Sequence, residues 1–172
     1  MPRGKDFTIE TFRFAPTDAI PNSPLPLIVL AGAIEAAEGR PEQVMARFEA
    51  NGWQGSWVYT VFDYWHYHVE GHEVLACVAG RASVGFGGDG GAEVAMQPGD
   101  VVIIPAGVGH KRLSGDSGFQ VVGAYPPGQN GAITKAGGLA IDEAERRIAA
   151  LPLPERDPVT GEAPGAIAAW RG

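Results

Sequence analysis

The chain is poor in cysteine and has no long apolar run. Its single cysteine, Cys77, excludes an internal disulfide framework and favours a reducing compartment, where we expect a small buried side chain. The most apolar early run, PLPLIVLAGAI, is interrupted by prolines and is far shorter than the ~20 residues of a membrane span. These absences predict a cytoplasmic protein without a membrane segment.

Positive charge is also scarce. The 13 lysines and arginines are outnumbered by 20 acidic residues, for a formal net charge of -7. A phosphate backbone would require a face rich in lysine and arginine, so we expect no nucleic-acid partner. With 172 residues, of which 45% are hydrophobic, the chain can bury one core but is short for two. We therefore predict a single domain.

Glycine and proline, in contrast, are plentiful. The 25 glycines and 14 prolines separate short β-prone pieces such as SWVYTVFDYWHYH, EVLACVAG, RASVGF, DVVIIP and FQVVGAY. An earlier piece, FTIETFRF, alternates polar and apolar residues and predicts a half-buried strand. Short strands at this spacing are typical of an antiparallel sandwich or barrel. The predicted fold class is therefore all-β.

Two segments instead have helical signatures. RPEQVMARFEANG begins with a proline and ends at an Asn-Gly pair, which predicts a short early helix. IDEAERRIAALPLP places its apolar residues on one side and predicts a C-terminal helix. The single domain, 1–172, is expected to have its barrel core at about 55–126, N-terminal strands and a helix at 7–52, and a C-terminal helix and tail at 139–172.

Two short motifs have the spacing of catalytic signatures but not their context. GFGGDGG contains G-x-G-x-x-G, yet the strand-like AEVAM follows it where a dinucleotide-binding fold requires a helix. GDSG at 115–118 has the spacing of a serine-protease nucleophile segment, but His110 is too close in sequence to act as its base. We interpret both motifs as turns.

Three of the four histidines lie in HYHVEGHE, residues 66–73, and the fourth is His110 in GDVVIIPAGVGH. Residues i and i+2 of a strand face the same way, so His66 and His68 can direct their ring nitrogens to one point. Glu73 opens the next strand, which we expect beside and antiparallel to the histidine strand, while His110 begins a return strand. Three imidazoles and a carboxylate suit Zn, Fe, Mn, Ni or Co, and an octahedral ion held by four ligands keeps two open positions.

These spacings resemble the two motifs of the cupin superfamily. The matching residues are His66, His68, Glu73 and Gly80 for the first motif and Gly99, Pro105, Gly107 and His110 for the second. Two non-ligand positions depart from the motifs, because Val61 stands where a leading glycine is usual and Ser114 where an asparagine is usual. Together NGWQGSW, HYHVEGHEVL, VVIIPAGVGHK and VVGAYPPGQ resemble small bacterial single-cupin proteins of the YjlB-like type.

The resemblance implies an antiparallel jelly-roll β-barrel with a divalent transition metal, Fe, Mn, Zn or Ni, held by His66, His68, Glu73 and His110. It also implies a metal-dependent enzyme of the dioxygenase, isomerase or decarboxylase type that acts on a small polar or carboxylate-bearing molecule. Members of such a fold also include non-catalytic proteins. The alternative is therefore a small-molecule binding or sensor protein that uses the same cavity.

Strand alternation adds further candidates around these ligands. Arg112 shares the parity of His110 and is a candidate to clamp a substrate carboxylate, although an ion pair at the barrel rim is an alternative. Phe62 and Tyr64 share the parity of His66, which predicts wall residues and makes Tyr64 a candidate hydrogen-bond donor. His72, next to the inward Glu73, should face outward, as a support of the ligands or as a surface residue.

The same alternation places Trp65 and Tyr67 on the outside of the histidine strand. Large aromatic side chains there are unusual for a monomer, so a helix or a second subunit should cover them. We therefore expect a homodimer that associates through this sheet.

Overall fold

Eleven strands form two antiparallel sheets in the part of the chain that the structure, a computed structural model, describes, namely residues 7–171. The strands are β1 (Thr8–Phe12), β2 (Leu27–Ala31), β3 (Gln54–Tyr59), β4 (His66–Tyr67), β5 (Glu73–Ala79), β6 (Ala82–Phe86), β7 (Ala92–Met96), β8 (Val101–Ile104), β9 (His110–Gly115), β10 (Gln120–Tyr125) and β11 (Thr134–Lys135). One sheet has the order β1-β2-β8-β5-β10-β3, and the other has the order β11-β4-β9-β6-β7. The all-β jelly-roll prediction is confirmed.

The six-stranded sheet is buried on both faces, which explains its nearly continuous apolar strands. In β5, Leu75 and Cys77 belong to a core shared with the five-stranded sheet, whereas Val74, Ala76 and Val78 belong to a second core outside the barrel. Successive side chains of a strand point to opposite faces, so Glu73 shares the inward parity of Leu75 and Cys77. A carboxylate is thereby directed into the barrel.

Two α-helices cover the outer faces of the sheets. Helix α1 (Pro41–Ala50) buries Val44 and Phe48 in the core outside the six-stranded sheet. Helix α2 (Ile141–Ala149) buries Ala144 and Ile148 in the same cluster as Tyr67. Both predicted helices are confirmed, and the chain's own C-terminal helix covers Tyr67. No helix within residues 7–171 is long and apolar enough to span a membrane.

Three local expectations meet different outcomes. The GFGGDGG motif connects the paired strands β6 and β7 as a hairpin, and GDSG lies at the turn from β9 to β10, so both are turns as predicted. The half-burial predicted for β1 is wrong, because β1 is an edge strand and Ile9 is 56% exposed. The β-prone piece SWVYTVFDYWHYH is broken at 60–65, where the chain passes from one sheet to the other.

Cys77 is fully buried in the barrel core, as expected. Burial, together with the nearby Asp100 and Glu38 carboxylates, raises the pKa of its thiol to about 11. At about pH 8 only about one thiol in a thousand would be ionised, and the thiolate is the reactive form. We expect Ellman's reagent to leave the native protein unlabelled and to label one thiol per chain in guanidinium chloride. Rapid labelling of the native protein would contradict this burial.

Candidate metal centre

The three motif histidines lie together inside the barrel. His66 and His110 are register partners on the neighbouring strands β4 and β9, and His68 directly follows β4. All three side chains are buried, and each contributes a ring nitrogen to a group whose members lie within 4.8 Å of one another. The prediction that the two histidine segments belong together is confirmed. Such a group could hold a metal ion.

The backbone fixes which nitrogen of each ring faces the centre. The Nδ1 atoms of His66, His68 and His110 lie 3.0 to 3.1 Å from the carbonyl oxygens of Tyr64, Ala132 and Val108, respectively. A carbonyl oxygen can only accept a hydrogen bond, so each Nδ1 carries the proton. The Nε2 lone pairs therefore remain available, which is the arrangement that metal-bound histidines adopt.

Glu73 reaches the same point from the opposite sheet. The expectation that its strand lies beside the histidine strand is wrong, because β5 pairs with β8 and β10 in the six-stranded sheet whereas β4 is in the other. Its Oε1 lies 3.2 Å from His68 Nε2 and 3.5 Å from His110 Nε2. A carboxylate oxygen and two imidazole lone pairs are all acceptors, so a proton or a metal cation must lie between them.

The electrostatics of the group are consistent with a cation site. Burial, with a further contribution from His110, lowers the pKa of His66 to about 3, which keeps that imidazole neutral near pH 7. Burial opposes charge on His68 and Glu73 as well, but their mutual attraction prevails. It raises the pKa of His68 and, with His110, holds the pKa of Glu73 below its usual range.

The four side chains form part of the wall of one cavity, the barrel cavity, of about 260 Å³. Its remaining wall is mainly apolar and aromatic and is formed by Trp57, Tyr59, Thr60, Val61, Phe62, Leu75, Tyr125, Gly131 and Ile133. This volume lies just below the range of about 300–1,000 Å³ that is usual for small-molecule sites. The cavity therefore suits a small ligand with an apolar flank.

Tyr125 is a wall residue that sequence reasoning missed. Its hydroxyl accepts a hydrogen bond of 2.7 Å from Trp57 Nε1. Burial raises the pKa of Tyr125, and the Glu73 carboxylate raises it further. The hydroxyl thus keeps its proton and is a donor beside the three imidazoles. Alternation along FQVVGAY, with the buried Val121 facing inward, was the signal that could have identified it.

The other sequence candidates lie elsewhere. Phe62 contributes to the wall, as predicted, whereas Tyr64 is absent from the wall and stacks on Phe62 at a centroid distance of 5.2 Å. Residues 60–65 are not a strand, so the alternation that linked Tyr64 to His66 does not apply. Arg112 donates from Nε to the carbonyl oxygen of Val61 and is also absent from the wall. A contact between either residue and a substrate stays a prediction.

His72 faces away from the three imidazoles, as expected from its position next to Glu73, but it is buried rather than at the surface. It is 1% exposed, and its ring lies 4.9 Å from that of Trp170. Its Nδ1 accepts a hydrogen bond of 2.8 Å from the backbone N–H of Ala106, which is the opposite ring orientation to that of the other histidines. Burial lowers the pKa of His72 to about 4.

A jelly-roll barrel with three clustered imidazoles is characteristic of cupins, and the chain belongs to the cupin family. The sequence profile of that family, described as Cupin, matches residues 64–138. The chain is also 39% identical over 162 residues to "Uncharacterized protein YjlB" of Bacillus subtilis (strain 168). This similarity covers 94% of the chain and 96% of the relative, so it extends well beyond the two motifs.

Solved structures are similar only at low identity. The DMSP lyase DddQ from Ruegeria pomeroyi DSS-3 is 15% identical with a TM-score of 0.39, over 77% of this chain and 52% of its own. A putative mannose-6-phosphate isomerase from Ralstonia eutropha JMP134 is 16% identical with a TM-score of 0.32, over 73% of this chain and 90% of its own. The chain thus spans about half the length of the lyase. Neither similarity contributes to the functional argument.

Proposed function

We propose that His66, His68, Glu73 and His110 bind one divalent transition metal, Fe, Mn, Zn or Ni. The observation that carries this proposal is the convergence of three Nε2 lone pairs and a buried carboxylate oxygen, whose closest separation is 3.2 Å. Acceptors repel one another unless a cation separates them, and imidazole and carboxylate suit these metals. When bound, the metal supplies Lewis-acid or oxygen-activating chemistry.

Replacing Glu73 with glutamine is expected to lower metal affinity by at least about 10-fold, since the amide keeps the size of the side chain but removes its charge. The matched control is Glu70→Gln, an exposed carboxylate on the same connection. Competition with a chromophoric chelator gives both dissociation constants. Equal affinities in the two variants would remove Glu73 from the proposed ligand set.

We further propose that the protein is a metal-dependent enzyme acting on a small polar or carboxylate-bearing molecule. Support comes from the barrel cavity, which is large enough for such a molecule beside the metal ligands. No lysine or arginine within the described range contributes to its wall, so the substrate's oxygen atoms would be oriented by the metal and by the Tyr125 hydroxyl. The aromatic wall would exclude water from the reacting atoms.

The test is turnover of a panel of small keto acids, hydroxy acids and diketones by protein loaded with each candidate metal. We expect turnover with one metal. Tyr125→Phe should reduce it without changing metal content, because it removes only the donor. Oxygen uptake would identify a dioxygenase reaction. Thermal stabilisation by a panel member without turnover under any metal would favour the alternative, a small-molecule binding or sensor protein.

We also propose a cytoplasmic homodimer. The lone, buried Cys77 fits a reducing compartment. On the outside of the five-stranded sheet, Leu113 is 41% exposed and lies near the partly buried Trp65, since both contact the Cβ position of Gly85. This apolar area suits association through that sheet. Light scattering should give twice the chain mass, and a monomer mass at every concentration would contradict the dimer.

A further inference from the structure

A second and larger cavity, the outer cavity, lies outside the barrel and has a volume of about 560 Å³. Its wall is formed by Phe14, Pro16, Pro21, Asn22, Ser23, Pro24, Leu25, His72, Glu145, Ile148, Ala149, Leu151 and Leu153. It shares no wall residue with the barrel cavity among the described residues. Its volume lies within the range of about 300–1,000 Å³ that is typical of small-molecule sites.

His72 gives this largely apolar wall a hydrogen-bond donor without a partner. Because the N–H of Ala106 donates to Nδ1, that nitrogen carries a lone pair and the proton of the neutral ring lies on Nε2. Nε2 is buried and has no hydrogen-bond partner within residues 7–171. The Trp170 ring, 4.9 Å away, helps to hold the imidazole in place. A buried donor of this kind is costly unless a ligand or water satisfies it.

The other polar groups of the wall limit the chemistry of a ligand. Asn22 is fully engaged, because its amide donates to the carbonyls of Ala15 and Gly87 and its oxygen accepts from the N–H of Gly109. The Ser23 hydroxyl accepts from the N–H of Leu25 and keeps its own proton for a further acceptor. Glu145 is the charged residue of the described wall, and its carboxylate disfavours a second anion.

From this geometry we infer that the outer cavity binds an uncharged, apolar molecule that carries a carbonyl oxygen, such as a ketone or an ester. The carbonyl accepts the hydrogen bond of His72 Nε2, and the remainder of the molecule packs on the proline, leucine and isoleucine side chains. This site is separate from the metal centre and does not depend on the function proposed for the barrel.

The probes are acetophenone, ethylbenzene and benzoate, which have similar shapes and differ in their acceptor and charge. With metal-loaded protein, calorimetry or ligand-detected NMR should show that acetophenone binds at least about 10-fold more tightly than ethylbenzene, which leaves the donor unpaired. Benzoate should bind more weakly than acetophenone. Equal affinity for acetophenone and ethylbenzene, or no binding of acetophenone, would overturn the inference.

Two substitutions at His72 separate the donor from the structural role of the ring. In His72→Asn the side-chain oxygen takes the place of Nδ1 and can still accept from Ala106, but the Nε2 donor is lost. In His72→Gln a side-chain N–H is available near the position of Nε2. We expect His72→Asn to weaken acetophenone binding by about 10-fold or more, and His72→Gln to retain most of it. Unchanged affinity in His72→Asn would remove the donor from the site.

A pair of substitutions in exposed positions of the C-terminal helical region tests the location. Ala149 contributes to the wall, whereas the neighbouring Ala150 is exposed and does not. Ala149→Phe should fill the cavity and abolish acetophenone binding, and Ala150→Phe should leave it unchanged. Binding that survives Ala149→Phe would place the ligand elsewhere and overturn the inference.

Discussion

Replacing His110 with alanine is expected to weaken the binding of a divalent transition metal by more than about 100-fold. Substituting a residue that merely orients a ligand typically costs about 10–100-fold, and His110 contributes a ring nitrogen to the cluster itself. His110 also connects the two sequence motifs, because it is the register partner of His66. Competition with a chromophoric chelator measures the change in affinity.

The matched control for His110→Ala is His72→Asn, which replaces another buried histidine of the same region. His72 faces away from the cluster, and asparagine can preserve its hydrogen bond with Ala106. Metal affinity should therefore stay within about threefold of wild type, a change of less than 1 kcal/mol. Circular dichroism should show folded protein in both variants. Similar losses in the two variants would indicate a general structural effect rather than loss of a ligand.

Replacing Trp170 with alanine should lower the free energy of unfolding by about 3–5 kcal/mol, the usual cost of emptying a buried aromatic position. Trp170 is 4% exposed, belongs to the core outside the six-stranded sheet, and donates from Nε1 to the carbonyl of Pro26. Its packing joins the C-terminal 3₁₀ helix (Gly165–Trp170) to the start of β2. Denaturant unfolding measures the loss.

Trp170→Phe is the control for this prediction. It keeps most of the buried ring and loses mainly the hydrogen bond to Pro26, which is worth about 1 kcal/mol. We therefore expect a loss well below that of Trp170→Ala. A loss below about 1 kcal/mol in the alanine variant would show that the C-terminal segment is not packed as described.

The parts of the fold that depend on local pattern could be predicted from the sequence. The helix that ends at Asn51-Gly52 has a proline in its first turn and a stop signal at its end, and both lie within one short segment. Similarly, the convergence of His66 and His68 follows from the separation of two residues between them. His110 could be added because its motif matches a known family pattern in full.

The parts that depend on long-range pairing could not be predicted in the same way. Alternation places Glu73 inward, but it does not reveal that β5 belongs to the opposite sheet from β4. Tyr64 was placed on the cavity wall by an alternation that ends where the chain leaves the strand. The burial of His72 depends on Trp170, almost a hundred positions later, so no local pattern contained it.

The most direct test of the metal centre is the metal content of the protein purified without a histidine tag, measured by plasma mass spectrometry. The account predicts about one equivalent of a single transition metal per chain, because one cluster of three imidazoles is present in the described residues. Protein that binds no transition metal, even after reconstitution near neutral pH, would contradict it. The carboxylate and imidazoles would then be held together by protons alone.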